Sequence, residues 1–382
     1  ETVDYLEQVV TDGGWSGDDF YIYQGIGTSD PIWDQTDSQI QEMLGRALFT
    51  ADNLHYAIIE GSRHDIDACE RYLYHSLQNF FGNREGTHLE FESVTRDTLV
   101  RDVMNNPVFA DHGRLLFPVD QTIPDGMTLE NVGDILVWYN NISPDKTVEI
   151  INSLGERAAA GDVIFYDIYT KEEKAADPDK KDTGLFFFRG DPGGKTAICN
   201  AGGGFVYVGA MQDSFPHALE LSKQGYNAFA LIYRPGAQTA CEDLARAIAF
   251  LHENAEELNI DMTDYSLWGG SAGARMAAWL GTYGTEAFGE EAYPHPAAVI
   301  MQYTGLSEVT GNEPPTYCCV GTRDGIASYH TMEERVRRIQ ANGTDAEIEV
   351  FDGLSHGFGL GEGTVAEGWI DHAVDFWSRQ IQ

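Results

Sequence analysis

Along the second half of the chain, short apolar runs alternate with longer stretches whose apolar positions recur at helical spacing. The runs at 162–169, 184–189, 196–200, 227–233, 264–268, 297–303, 316–320 and 346–351 read as strands. Between them lie helical patterns. In the one near 239–256, Leu244, Ala247, Ile248, Leu251 and Ala255 fall on one face, which is ordinary core packing and carries no functional claim. A last helix is expected near 364–379, packed behind the loop that carries His356. Strand and helix in alternation predict an α/β architecture, a doubly wound and mostly parallel sheet. Upstream, 113–160 reads as a lead-in with helices near 129–141 and 144–158 that contributes a cap, and 171–183, rich in Lys, Asp and Glu, reads as a solvated hairpin or loop.

One strand end carries chemistry. Gly269-Gly270-Ser271-Ala272-Gly273 reads G-x-S-x-G, directly after the apolar Tyr265-Ser266-Leu267-Trp268 and directly before a helical Ala274–Leu280 stretch. Small residues on both sides of Ser271 allow the sharp, strained turn that lifts a serine hydroxyl out of the end of a sheet, and the helix N-terminus behind it favours developing negative charge. A serine nucleophile needs a base, and the base an orienting acid. Asp324 follows the strand 316–320, and His356 follows the strand 346–351, in the order Ser, Asp, His. Asp352 competes as the acid, but four positions before His356 it sits at the strand end. The fourth element is Asn200-Ala201-Gly202-Gly203-Gly204-Phe205 after the strand 196–200: the amides of Gly203, Gly204 and Ala272 are the expected oxyanion hole. Phe205, Tyr207 and Tyr303 are candidates for the pocket lining.

With these four elements in place, residues 160–382 resemble the α/β-hydrolase family, in particular its hormone-sensitive-lipase-like members and bacterial acyl esterases. The oxyanion motif of those enzymes is a His followed by three Gly; here Ala201 stands at the His position. The resemblance implies a serine carboxylesterase working through Ser271, His356 and Asp324, with no metal and no organic cofactor. A catalytically silent binding protein that kept the scaffold and a serine peptidase of the same fold are the other readings.

The N-terminal stretch repeats part of this pattern. Phe20-Tyr21-Ile22-Tyr23 leads to Gly27-Thr28-Ser29-Asp30-Pro31-Ile32, which resembles Gly321-Thr322-Arg323-Asp324-Gly325-Ile326. His55–Ile59 leads to Glu60-Gly61-Ser62-Arg63-His64, matching the run from Val350 to His356 in form. The Asp-to-His spacing is 34 residues in one copy and 32 in the other, and each His precedes a helical stretch with aromatics, Tyr72, Tyr74, Phe80 and Phe81 in the first. Residues 1–85 therefore resemble the C-terminal third of a second hydrolase, similar to the family of feruloyl esterases and S-formylglutathione hydrolase. No nucleophile elbow precedes it, since Gly14-Trp15-Ser16-Gly17 has the wrong spacing, so His64 and Asp30 are expected to be idle. Two short parallel strands cannot bury both faces alone, which predicts a homodimer or association with an upstream polypeptide. The expected organisation is a partial esterase-like segment over 1–85, a linker and lead-in over 86–160, and a catalytic domain over 161–382. The second resemblance implies short acyl or aromatic esters, acetyl or feruloyl, on plant polysaccharides.

Composition narrows the partners. The chain has 382 residues, 42% hydrophobic and 12% aromatic, enough to bury a full core and to form more than one domain. A formal net charge of -37 argues against nucleic acid and anionic membrane surfaces. It also suits an extracellular or cell-surface setting, with the cytoplasm left open. No run approaches the length of a membrane span, and the chain begins at Glu1, so a signal or lipoprotein segment is expected to be removed or to lie outside this sequence. Cys69, Cys199, Cys241, Cys318 and Cys319 form no metal-binding or redox pattern and are expected to be free buried thiols.

Overall fold

The computed structural model describes residues 2–17, 20–50, 53–59, 61–66, 68–69, 72–73, 76, 90–136 and 142–381. The chain divides into two compact units, Glu1–Glu90 and Phe91–Gln382.

Among the described residues the larger unit is built on eight strands: β3 (Phe165–Tyr166), β4 (Gly184–Phe188), β5 (Lys195–Asn200), β6 (Asn227–Ile232), β7 (Asp261–Gly270), β8 (Ala298–Gln302), β9 (Thr316–Gly321) and β10 (Ala346–Phe351). They lie in the order β10-β9-β8-β7-β5-β6-β4-β3. The six strands β5 to β10 are parallel, while β3 and β4 are antiparallel additions at one edge. Every residue of β4, β6, β8 and β9 is buried, which is why these strands read as unbroken apolar runs rather than alternating ones. The helix Ala272–Tyr283 packs on β7, β8 and the helix Ala237–Glu253, and Pro144–Ala159 packs on Phe215–Lys223. The chain leaves β5 for β6 on one side and returns to β7 on the other. That reversal opens a crevice at the carboxyl ends of β5 and β7, where ligands bind in sheets of this type.

Three expected elements differ. The strand expected over 162–169 is regular only at Phe165–Tyr166, with the Ile164 carbonyl accepting the Phe187 N–H at 2.9 Å before the ladder ends. The expected loop over 171–183 holds a helix, Lys171–Ala176, and a 3-10 turn, Pro178–Asp182. Thr170 and Glu173 cap that helix reciprocally, a local signal strong enough to order a charged stretch. The helix expected over 129–141 is a 3-10 helix at Leu129–Ile135, interrupted by non-helical backbone at Asn131, and 137–141 lie outside the described residues. Of the five free cysteines, Cys69 is exposed, not buried as expected, and the other four are buried.

The smaller unit pairs β1 (Ile22–Gly27) with β2 (Leu54–Ile59) in parallel. Its core gathers Val3 and Ile40, Met43, Phe49 and Leu54 from the helices Thr2–Asp12 and Trp33–Leu44, β2 and the loops between. Tyr74, Phe80 and Phe81 lie outside the described residues.

Candidate functional site

The loop after β7 carries Ser271 at φ 53° and ψ −111°, a backbone state that non-glycine residues rarely adopt. The flanking glycines explain how the turn closes. A Cβ on Gly273 would lie 2.0 Å from the carbonyl oxygen of Asn200, and one on Gly269 would lie 2.3 Å from the Gly273 backbone. The turn therefore folds against the end of β5 with no room for side chains, and its serine stands at the crevice. Strain of this kind persists where surrounding packing enforces it.

The structure brings together the three side chains expected to act in sequence. His356 Nε2 lies 3.0 Å from Ser271 Oγ, and His356 Nδ1 lies 2.8 Å from Asp324 Oδ2. A carboxylate can only accept, so Nδ1 carries the ring proton and Nε2 presents its lone pair to the serine hydroxyl. Asp324 is pinned on its far side, where Oδ1 accepts the N–H groups of Ile326 at 2.8 Å and Ala327 at 2.7 Å. Its side chain is wholly buried. Asp352 is placed elsewhere, accepting the Thr322 hydroxyl at 3.0 Å.

The oxyanion candidates lie on the loop after β5 and at the first position of the helix after β7. Gly203 and Gly204 take φ 129° and 62°, and among the described residues their N–H groups are not spent within the loop. Ala272 opens the helix Ala272–Tyr283, where first-turn N–H groups have no partner inside the helix. Sequence reading missed what steadies this loop. The Tyr233 hydroxyl donates to the Ala201 carbonyl at 2.6 Å, and Asn200 Nδ2 donates to the Trp268 carbonyl at 2.9 Å, tying β5 to β7. Tyr233 comes from the end of β6, so no local motif announces it. Of the pocket candidates, Tyr207 and Tyr303 are buried, while the half-buried Phe205 stacks on Trp279 with ring centroids 6.2 Å apart.

Beside the loop lies a cavity of about 440 Å³ bounded by Val208, Tyr233 and Arg234 and, from the lead-in, by Leu115, Phe117 and Val119. Burial pushes the Cys318 thiol up to about 12 and raises Cys199 and Cys319 as well, so these thiols are not nucleophiles at neutral pH. Among the described residues, no cluster of His, Cys, Asp and Glu is arranged to hold a metal ion.

The smaller unit contains a second His–Asp pair. His64 Nδ1 lies 2.9 Å from Asp30 Oδ2, and Asp30 Oδ1 accepts the Ile32 N–H at 3.0 Å. The supporting bonds repeat those of the larger unit. Thr28 and Thr322 each accept an N–H, from Gly61 and Gly353, both at 2.8 Å. A Cβ on Gly27 or on Gly321 would lie 2.1 Å from the carbonyl oxygen of Ser62 or Leu354. The pairs differ in exposure: the His64 side chain is 66% exposed and that of His356 only 6%.

Residues 193–310 match the family model described as BD-FAE, a stretch that includes Ser271. Among solved structures, the larger part of the chain is similar to an acetyl ester-xyloside bifunctional hydrolase from Caldicellulosiruptor lactoaceticus, at 20% identity and TM-score 0.51, covering 57% of this chain and 97% of that one. It is also similar to a propionate-bound esterase from Thermogutta terrifontis, at 22% identity and TM-score 0.47 over 53% of this chain and 90% of that one. A third, an α/β hydrolase from a Medee basin deep-sea metagenome, shows 21% identity and TM-score 0.46 over 52% and 92%. No curated protein matches the sequence. The chain has the α/β-hydrolase fold. Among the described residues, no helix is long and apolar enough to cross a membrane.

Proposed function

We propose that this chain is a serine carboxylesterase whose catalytic machinery lies within residues 161–382, the N-terminal segment being a partial hydrolase fragment without a nucleophile of its own. The observation that carries the reading is the hydrogen-bonded line from Ser271 Oγ through His356 to Asp324, held at 3.0 and 2.8 Å beside a strained elbow. Ser271 Oγ attacks the acyl carbon as its proton passes to His356 Nε2, and Asp324 steadies the imidazolium through Nδ1–H. The carbonyl oxygen, now carrying the electron pair, is met by the N–H groups of Gly203, Gly204 and Ala272. When the intermediate collapses, the Nε2 proton leaves with the alcohol. Water then repeats the sequence on the acyl-enzyme, releasing the carboxylic acid and restoring Ser271.

The substrate class we propose is a short acyl or aromatic ester, acetyl or feruloyl, borne by a plant polysaccharide. A net charge of -37 favours neutral carriers over polyanionic ones, and it suits an extracellular setting. The strain stored at Ser271 supports an enzyme over a silent binding protein, because a binding scaffold has no use for it.

The test is labelling with a fluorophosphonate probe, followed by turnover of p-nitrophenyl esters from acetyl to palmitoyl and of methyl ferulate. Ser271→Ala should abolish labelling and lower turnover by about 10⁴- to 10⁶-fold. Retention of a tenth of the wild-type rate would overturn the assignment.

A further inference from the structure

Two buried side chains outside the proposed triad join the loop that holds the oxyanion to the loop that holds the base. Asp213 ends the short helix Ala210–Asp213 and is 2% exposed. Its Oδ2 accepts the Gly202 N–H at 3.0 Å, one residue before Gly203. Its Oδ1 accepts the Tyr303 hydroxyl at 2.6 Å, and the Tyr303 oxygen in turn accepts the Gly359 N–H at 3.3 Å, three residues past His356. The Tyr303 ring lies against His356 and against Phe358, with centroids 4.9 Å away in each case.

The surrounding backbone is shaped to admit this pair. Tyr303 sits at φ 34°, another strained non-glycine residue, at the end of β8. The carboxylate occupies the space where other residues would carry a Cβ: one on Gly270 would lie 2.7 Å from Asp213 Cγ, and one on Gly202 would lie 2.5 Å from Asp213 Oδ2. The elbow's second position is thus a glycine because a carboxylate from a different helix rests on it. Hydrogen bonds to a charged acceptor are short and strong, and a buried donor left without one is costly. The neighbouring Gln212 adds a second tie, its amide donating to the Gly357 carbonyl.

We infer that Asp213 and Tyr303 are positioning residues that lock the oxyanion loop and the His356 loop into one geometry, so that donors and base meet the same substrate atom; this rests on the esterase reading above. The pair acts through Gly202 on one side and through Gly359 and the His356 ring on the other. An oxyanion donor displaced by a fraction of an ångström loses its advantage for the transition state while substrate binding is little changed. The signature is therefore in kcat.

The experiment uses the full chain and its Asp213→Asn, Asp213→Ala and Tyr303→Phe variants. Active sites are counted by fluorophosphonate labelling taken to completion, and p-nitrophenyl acetate turnover is expressed per labelled site. Asp213→Ala, which strands two donors, should lower kcat per site by about a hundredfold with KM within threefold. Asp213→Asn keeps the size and one acceptor and should lose about tenfold, as should Tyr303→Phe. In the Asp213→Ala, Tyr303→Phe double variant the losses should not multiply, because both changes cut one connection. Should Asp213→Ala fail to fold, Asp213→Asn and Tyr303→Phe carry the test. A kcat per labelled site within twofold of wild type in these two, even with a lower melting temperature, would reduce the pair to packing and overturn the inference. A wild-type chain that takes no label at Ser271 overturns the esterase reading, whereas a labelled, active wild type with indifferent variants overturns this one alone.

Discussion

Replacing Asp324 by asparagine exchanges one oxygen for an NH2 group of nearly the same size, and the structure dictates where that group must sit. Two backbone N–H groups, from Ile326 and Ala327, converge on Oδ1 at 2.8 and 2.7 Å. If the amide nitrogen of the variant took that place, both donors would be stranded, at about 1–3 kcal/mol each. The oxygen therefore stays on the backbone side, and the NH2 group faces His356 Nδ1 across the former 2.8 Å contact. The imidazole can meet a donor only by giving up its Nδ1 proton, which moves the ring proton to Nε2 and aims it at Ser271 Oγ, 3.0 Å away. A base with its proton in that place cannot take another. The working tautomer then survives only in the flipped arrangement, about 2–6 kcal/mol higher, so turnover should fall by roughly 30-fold to 10⁴-fold. Initial rates on p-nitrophenyl acetate, normalised to labelled sites and paired with a melting curve, make the measurement. The fold should hold, because burial and both backbone bonds are kept. An Asp324→Asn variant within fivefold of wild type would refute the assignment of the acid, and the same loss in Asp352→Asn would transfer it.

Three further outcomes are expected. Gly203→Ala should lower kcat by about 10²- to 10³-fold and also lower the melting temperature, since a Cβ there would lie 2.0 Å from the Tyr207 carbonyl oxygen at φ 129°; wild-type kinetics would place the oxyanion hole elsewhere. His217 is held neutral by burial, its pKa lowered from 6.5 to about 4, so the unfolded chain binds the proton first and stability falls as pH drops from 6.5 toward 4, by about 3 kcal/mol in all. Urea titrations across that window should show a steeper loss in the wild type than in His217→Phe, which keeps the smaller contributions of the partly buried His112 and His252, and equal slopes would refute the linkage. His64→Ala should leave ester turnover within about twofold, because a base without a nucleophile has nothing to activate; a variant as inactive as His356→Ala would refute this.

The parts of the site that could be read in advance are those where backbone geometry restricts residue type. Gly269 and Gly273 flank Ser271 because the elbow presses on β5, and that pressure is local enough to leave a five-residue signature. Asp324 and His356 were legible through order and place, Asp324 following the wholly buried β9 and His356 following β10, whose Ala346, Ile348 and Val350 alternate with Glu347 and Glu349. Asp213 and Tyr233 were not, since each reaches its partner across the sheet: Asp213 bonds Tyr303, 90 residues away, and Tyr233 bonds Ala201, 32 residues away. No spacing encodes such contacts. The helix Lys171–Ala176 was missed for the opposite reason. Its capping pair Thr170 and Glu173 is a local signal, overshadowed by a run of charge that reads as solvent-exposed loop.

The two His–Asp pairs separate what makes a catalytic dyad from what makes a catalytic site. Their backbones agree in register, β1 on β2 as β9 on β10, with the glycine that ends the first strand pressed against the loop that brings the histidine. Their acids are held alike, Asp30 by the Ile32 N–H and Asp324 by those of Ile326 and Ala327, and their ring contacts differ by 0.1 Å, 2.9 against 2.8 Å. By the acid and the tautomer alone, both histidines are prepared as bases. They part company at Nε2, which in His356 meets Ser271 beside the Tyr303 ring, while two-thirds of the His64 side chain faces water. Water supplies neither a fixed nucleophile nor the low dielectric in which a moved proton matters most. Orientation of the base is thus a property of two strands and their loops, and recurs wherever that small unit recurs. On the proposed reading reactivity also needs β7 and its strained turn, and among the described residues it is Phe91–Gln382 that brings both to one place.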